Sequence, residues 1–349
     1  MTATDDRLES MYRRFTWRIL SNSVSPWEFE TLREDITDYE QWCAQWSARA
    51  AEHTASADEA LRLGRERSAG EMYVRAALFY HWANFMFTHD QAQFRSALHC
   101  MTSVWAKAAP LVSPKMELLS VEYEGVTLPG YLQLPEGVAS APLVVLFPGA
   151  DSTKEELFDL AQHIVRRGTA VAAFDGPGQG SVSIEMKMRP DYESAICTVL
   201  DSLLARSDID RDRVAVGGIS YGGLFALRAA AIDPRVRAVV SISSWYSPAG
   251  RFDTMETLTK TGQYQYLGDD PPAVMESISL AGVLEKVSVP VLQVYGELDA
   301  MSPPSNAERI ASELSGPVTT VVYPDGVHIL NNVWFKARPM VGDWLAETL

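Results

Sequence analysis

Cysteine is scarce in this chain. Cys43, Cys100 and Cys197 are the three in 349 residues, with no Cys-x-x-Cys and no histidine at zinc-ligand spacing. That excludes a disulfide framework and a zinc module. The three read as reduced core thiols, and no metal site is expected. Basic charge is also short: 30 Lys and Arg stand against 45 Asp and Glu, a formal net charge of −15. Nucleic acid and anionic membrane are therefore excluded as partners. No apolar run approaches membrane-spanning length, and Leu143 to Phe147 reads as a strand. The opening Met1-Thr-Ala-Thr-Asp-Asp6 is polar and acidic, unlike a signal peptide, so the expected location is cytoplasmic. Phosphate-binding signatures are missing too. Asp175-Gly-Pro-Gly-Gln-Gly180 lacks both the Gly-x-Gly-x-x-Gly order and the Lys-Ser/Thr of a P-loop, so it reads as a tight loop with Asp175 as a structural hydrogen-bonder, and no organic cofactor is implied.

What the chain has is 47% hydrophobic residues, ample for a large core, in two differently patterned regions that meet near Pro110 to Pro114. Residues 1–112 read as helices only: Leu8 to Ser21, Trp27 to Ala51, Ser56 to Gly64, Met72 to Phe87 and Asp90 to Ala109. Pro26 at a first helical position after Ser25 marks one start. Trp17, Trp27, Trp42, Trp46, Trp82 and Trp105, six of the nine tryptophans, lie here, which argues for a packed domain. Phe79, Tyr80, Trp82, Phe85, Met86 and Phe87 read as core between helices rather than as a cavity lining.

Residues 113–349 alternate short apolar strands with helices. A hairpin turns at Glu124-Gly125, and strands follow at Leu143 to Phe147, Thr169 to Phe174, Val214 to Gly217, Ala238 to Ile242, Val289 to Tyr295 and Val318 to Tyr323. This pattern predicts a mostly parallel, doubly wound sheet covered on both faces. An insertion without strand signals, at about 247–287, is placed to cap the sheet's carboxyl edge.

Gly218-Ile-Ser220-Tyr-Gly222 ends one of these strands and opens an Ala- and Leu-rich helix. Strand, sharp turn and helix make a nucleophile elbow, with a serine hydroxyl exposed at the apex. The glycines are required because a Cβ at either place would meet a neighbouring strand or helix. A serine hydroxyl needs a base. The only histidine beyond the elbow is His328, in a turn after the last strand; the other five precede the elbow. The acid that would orient it is Asp299, just past the strand ending at Tyr295, with Glu297 as its competitor. Asp325, beside Gly326, reads as a turn former. The Tyr221 N–H at the helix start supplies one oxyanion donor; Ala150, or Gly149, in Phe147-Pro-Gly-Ala-Asp151 supplies the second. Ser152-Thr-Lys-Glu155 reads as a capping box. Tyr221, Trp245 and Tyr246 are the expected substrate contacts.

With Ser68-Ala-Gly-Glu71 and Arg75-Ala-Ala77, Leu128-Pro-Gly-Tyr131, Ser152-Thr-Lys-Glu-Glu156, Asp175 to Gly180 and the elbow, the chain resembles α/β-hydrolases of the group that includes FrsA-like esterases, 2,6-dihydroxypseudooxynicotine hydrolase and polyketide-pathway hydrolases. One departure is Ser181, where the group often has Glu. The resemblance implies an α/β-hydrolase fold, a Ser220–Asp299–His328 triad, and N-terminal helices that act as a lid over the pocket together with the insertion. It implies a small-molecule substrate cleaved at an ester or at a C–C bond beside a ketone. It leaves two alternatives: elimination of acetate, as in tetronate biosynthesis, and a non-catalytic binding protein on the same scaffold. A homodimer through the helical region is compatible with the group.

Overall fold

The computed structural model describes residues 5–349; the residues Met1 to Thr4 of the polar opening lie outside them. The chain falls into two compact units. One runs to Glu117 and takes in Met255–Gln263; the other comprises Leu118–Thr254 and Tyr264–Leu349.

The first unit is helical: α1 (Asp6–Leu20), α2 (Pro26–Asp35), α3 (Trp42–Arg62), α4 (Glu66–Asn84) and α5 (Gln91–Ala108). Capping side chains set three of these starts, since free N–H groups at a helix N-terminus need acceptors. Asp5 caps α1, Ser25 caps α2 ahead of Pro26, and Asp90 caps α5. The helix expected over 27–51 is broken. Ile36 is extended, Asp38 and Gln41 form a capping box, and a single 3₁₀ turn, Tyr39–Gln41, restarts the chain into α3. Periodicity misses this break because the apolar spacing continues across it. Conversely, α4 starts at Glu66, ahead of the expected Met72, and Ser68 to Glu71 lie inside it. Its core is aromatic. Trp42 donates its indole N–H to the Trp82 carbonyl at 2.7 Å, and the Trp42–Trp46 and Trp46–Phe79 ring centroids are both 5.4 Å apart. Phe79, Trp82, Phe85, Met86 and Phe87 are buried in this packing. Glu256, in the short segment of this unit, accepts from Ser10 at 2.5 Å and pairs with Arg13 at 2.8 Å.

The second unit is built on an eight-stranded sheet in the order β1-β2-β4-β3-β5-β6-β7-β8. The strands are β1 (Met116–Tyr123), β2 (Val126–Gln133), β3 (Ala141–Phe147), β4 (Ala170–Phe174), β5 (Ile209–Ile219), β6 (Ala238–Ile242), β7 (Val291–Gly296) and β8 (Val318–Tyr323). Glu124 and Gly125, both at positive φ, turn the first hairpin. β2 pairs antiparallel with β4, and from β4 to β8 every pairing is parallel. Every residue of β3, β4, β6 and β7 is buried, as parallel strands covered on both faces must be. The helices are α6 (Phe158–Val165), α7 (Glu193–Leu203), α8 (Tyr221–Ile232), α9 (Arg251–Thr254), α10 (Thr257–Leu267), α11 (Pro271–Ser277), α12 (Ser305–Glu313) and α13 (Trp334–Thr348). α10 crosses the boundary between the units, and the insertion at 247–287 is helical throughout its regular parts.

β5 begins at Ile209, earlier than expected, because Ile209 pairs with Ala141 of β3. Three aspartates between Asp208 and Asp212 hide this strand start from a reading by hydropathy. The expected capping box at Ser152 is absent as well. Thr153 precedes a 3₁₀ turn, Lys154–Leu157, without a side-chain cap, while Ser152 bonds Glu156 and Glu155 pairs with Lys154 at 2.6 Å. A buried lysine needs its carboxylate more than the helix end needs a cap. Among the described residues no helix is long and apolar enough to cross a membrane.

Candidate active site

The strand order reverses between β3 and β5: β4 lies on one side of β3, and β5 on the other. In open α/β sheets that switch point, at the strands' carboxyl ends, is where a crevice forms. Phe147 pairs with Gly218, so the loop after β3 and the elbow after β5 leave the sheet side by side. Ile219 pairs with Ile242, and Ile242 with Val294, which brings the loops after β6 and β7 to the same edge.

Ser220 sits at φ 53°, ψ −115°. Such backbone costs about 1–3 kcal/mol for a residue with a Cβ and persists only where the surroundings dictate it. Here its N–H donates to the Ile242 carbonyl at 2.8 Å and its own carbonyl accepts from Leu224 at 3.2 Å. The glycines on either side allow the close approach. A Cβ on Gly218 would lie 2.3 Å from the Phe147 carbonyl oxygen, and one on Gly222 2.1 Å from the same atom. The serine Oγ accepts a hydrogen bond from Trp245 Nε1 at 3.1 Å. No hydrogen bond joins it to His328.

His328 Nδ1 lies 2.8 Å from Asp299 Oδ2. Asp299 Oδ1 accepts from the backbone of Met301 at 2.9 Å and of Ser302 at 2.8 Å. Burial works to raise this carboxyl, but His328 and these donors outweigh it and hold Asp299 below its ordinary value. An ionised Asp299 makes Nδ1 the protonated nitrogen and leaves Nε2 with the lone pair in the neutral ring. Glu297 is exposed, as is Asp325. The two loops are laced together by Glu297 N–H to the Tyr323 carbonyl and Leu298 N–H to the Gly326 carbonyl, both at 2.9 Å.

Ser243 went unnoticed in the sequence. It follows β6 directly at φ 48°, hydrogen-bonds Asp299, and accepts from Ile329 N–H at 3.0 Å. It ties the acid loop to the histidine turn, where Ile329 and Leu330 also have positive φ. The only sequence signal was the serine cluster Ser241-Ile-Ser-Ser244, which reads equally well as a strand end.

Gly149 flanks the nucleophile: a Cβ there would be 3.7 Å from Ser220 Cβ. The backbone N–H groups of Gly149, Ala150 and Tyr221 have no acceptor within the described residues. Tyr221 is buried and its hydroxyl has no hydrogen-bond partner among the described residues; burial and nearby Asp151 push it well above its ordinary value, so it stays protonated. Trp245 is buried under the Arg251 guanidinium, 5.1 Å from its ring centroid. Tyr246 is differently placed. Its hydroxyl donates to Glu313 at 2.9 Å and Arg309 lies 3.5 Å over its ring, so its side chain is engaged with α12.

Known proteins are similar to this chain over most of its length. The family model described as "Esterase FrsA-like" matches residues 28–247, and that of the prolyl oligopeptidase family matches residues 157–348. The 2,6-dihydropseudooxynicotine hydrolase of Paenarthrobacter nicotinovorans is 31% identical over 314 residues, covering 88% of this chain and 84% of that protein. The crystal structure of the 2,6-dihydroxy-pseudo-oxynicotine hydrolase superposes with a TM-score of 0.87 at 30% identity, over 96% of this chain and 95% of the other. AbyA5 wild type, at 18% identity, shares the fold with a TM-score of 0.75 over 98% and 99% of the two chains. The α/β hydrolase xenA of Xenoacremonium sinensis is 38% identical over 236 residues, 63% of this chain but 55% of its own length, so the chain spans about half of that fungal relative. On these grounds the chain belongs to the FrsA-like esterase family and is an enzyme of α/β-hydrolase type.

Proposed function

We propose that the chain is a serine hydrolase acting on an ester, or on a C–C bond beside a ketone, of a small organic substrate. The observation that carries this reading is the 2.8 Å bond from His328 Nδ1 to a buried, ionised Asp299, on loops that share one sheet edge with Ser220. In this reading Ser220 Oγ attacks the carbonyl carbon while His328 Nε2 takes its proton. The oxyanion that forms is held by the N–H groups of Tyr221 and of Ala150 or Gly149. Nε2 then returns the proton to the departing oxygen or carbon, and water releases the acyl group by the same steps. Hydrogen bonds in resting sites are often long and tighten with substrate, so the missing Ser220–His328 bond is compatible with this course. The test is reaction of Ser220 with a fluorophosphonate: one equivalent of adduct is expected in the wild-type chain and none in Ser220→Ala. An unlabelled wild type would count against the nucleophile.

One observation favours a second reading. Oγ is hydrogen-bonded to Trp245 and not to His328, which leaves Nε2 free to take a proton from a substrate carbon. The reaction is then elimination of acetate, with no acyl-enzyme. Turnover of an acetylated substrate in ¹⁸O-water separates the two: labelled acetate with an alcohol supports hydrolysis, and an alkene with unlabelled acetate supports elimination. A non-catalytic scaffold has no observation in its favour.

A further inference from the structure

We propose that Gln179, in the glycine-rich loop after β4, is a positioning residue that aims the oxyanion N–H groups. The inference rests on the reading of Ser220 as nucleophile and of Ala150 or Gly149 as oxyanion donor.

Gln179 is fully buried. Its Nε2 donates to the carbonyl oxygens of Pro148 at 2.6 Å and Gly149 at 3.2 Å. Its Oε1 accepts from the Gly176 N–H at 3.0 Å and from the Tyr192 hydroxyl. Both donors and both acceptor positions of the amide are used. Flipping the amide would set its oxygen against two carbonyl oxygens, so only one orientation satisfies the network.

Peptide geometry carries this grip to the site. In a planar trans peptide the C=O and the following N–H point in opposite directions. Drawing the Pro148 carbonyl toward Gln179 turns the Gly149 N–H away from it, and drawing the Gly149 carbonyl the same way turns the Ala150 N–H away. These are two N–H groups with no acceptor among the described residues, on the loop that passes beside Ser220. The far end of that loop is pinned from the same side. Asp175 Oδ1 accepts from the Lys154 N–H at 2.7 Å, and its Oδ2 lies 3.0 Å from Lys154 Nζ. Burial opposes the lysine's charge, but the carboxylates of Asp175 and Glu155 outweigh it and keep the ammonium above its ordinary range. The loop from 148 to 154 is thus strapped at both ends to the loop from 175 to 180. The glycines of that second loop answer the same need: a Cβ on Gly176 would meet the Tyr192 hydroxyl at 2.2 Å, and one on Gly180 the Asp175 carboxylate at 2.3 Å. The motif is therefore a brace for an oxyanion loop, with no phosphate in its logic.

The test measures the saturation kinetics of Ser220 phosphonylation by a fluorophosphonate in the full chain. Gln179→Glu keeps the shape but turns an oxygen toward two carbonyls; Gln179→Met removes the donors. In both, the maximal rate kinact is expected to fall about 10- to 100-fold, with the half-saturation constant KI unchanged, because a misaimed donor is lost to the transition state and not to ground-state binding. Tyr192→Phe, which frees one acceptor position but keeps both donors, is expected to lower kinact about threefold. A merely structural role predicts lower melting temperatures with kinact intact in the folded fraction, or KI changing in step. Either result overturns the proposal, and an unchanged kinact in Tyr192→Phe does so even if the Gln179 variants fail to fold. A wild-type chain that does not react at all removes the nucleophile reading itself, and this inference with it.

Discussion

The helical unit and the sheet unit handle polarity differently. In the helical unit, Trp42, Trp46, Trp82 and Trp105 fill the interior, and ion pairs such as Arg62–Glu59 and Arg67–Glu71 stand in solvent. In the sheet unit, charged groups go inside: Lys154, Glu155, Glu156, Asp175 and Asp299 are buried in the connections that follow β3, β4 and β7. Burying a charge costs several kcal/mol unless it is paired and hydrogen-bonded. Concentrating that cost along one sheet edge marks the place where the fold has a use for fixed charges and aimed dipoles.

Substitutions can break this contrast, and the largest effect is expected at the serine. Ser220→Ala should lower turnover of a cleavable ester by several orders of magnitude while leaving the melting temperature near that of the wild type. Asp299→Asn should follow, with a fall of about 10⁴-fold in kcat, because an amide no longer dictates which nitrogen of His328 holds the proton. This position also carries a pH signature. A carboxylate held below its ordinary value adds stability above the unfolded-state pKa of about 3.9, and that stability is lost as pH falls through the lower folded-state value. The stability gap between wild type and Asp299→Asn, read by denaturant unfolding, should therefore be constant near neutrality and close in acid.

Lys154→Met should cost about 3–5 kcal/mol in a urea titration, since it strands Asp175 and Glu155 as unpaired buried carboxylates. Ser220→Gly should raise stability by about 1 kcal/mol by relieving the positive φ, in a chain that no longer turns over. At the small end, Arg62→Ala in the helical unit should leave the melting temperature unchanged within error, because its pair with Glu59 lies in solvent. A measurable drop there would blur the contrast between the units.

The elbow was legible because its parts are contiguous in the chain. Gly218 and Gly222 flank Ser220 because a Cβ at either would meet the Phe147 carbonyl oxygen of the neighbouring strand, a tertiary demand that shows in the sequence as two glycines four residues apart, and the strand and helix on either side have their own apolar periods. The histidine was legible by its place after the last strand. The choice of Asp299 over Glu297 depended on which carboxylate the loop buries, and a spacing of two residues does not contain that information. Ser152 shows the opposite error: a pattern that fits a capping box was put to another use, because buried Lys154 drew Glu155 away. The break at Ile36 to Gln41 and the early start of β5 were missed for a related reason. Helical spacing carried on across the first, and polar residues masked a strand whose partner, Ala141, is remote in sequence.

What the amino-acid order determined by itself was what contiguous motifs and periodicity carry: alternating strands and helices, the strand–turn–helix at Ser220, and the start of the helix at Pro26. Only the folded chain decided which distant groups became partners. Asp299 met His328, Ser243 joined their two loops, and Gln179 reached the carbonyls of Pro148 and Gly149. Those pairings follow from the register of neighbouring parallel strands, and register is a property of the assembled sheet that no single segment encodes.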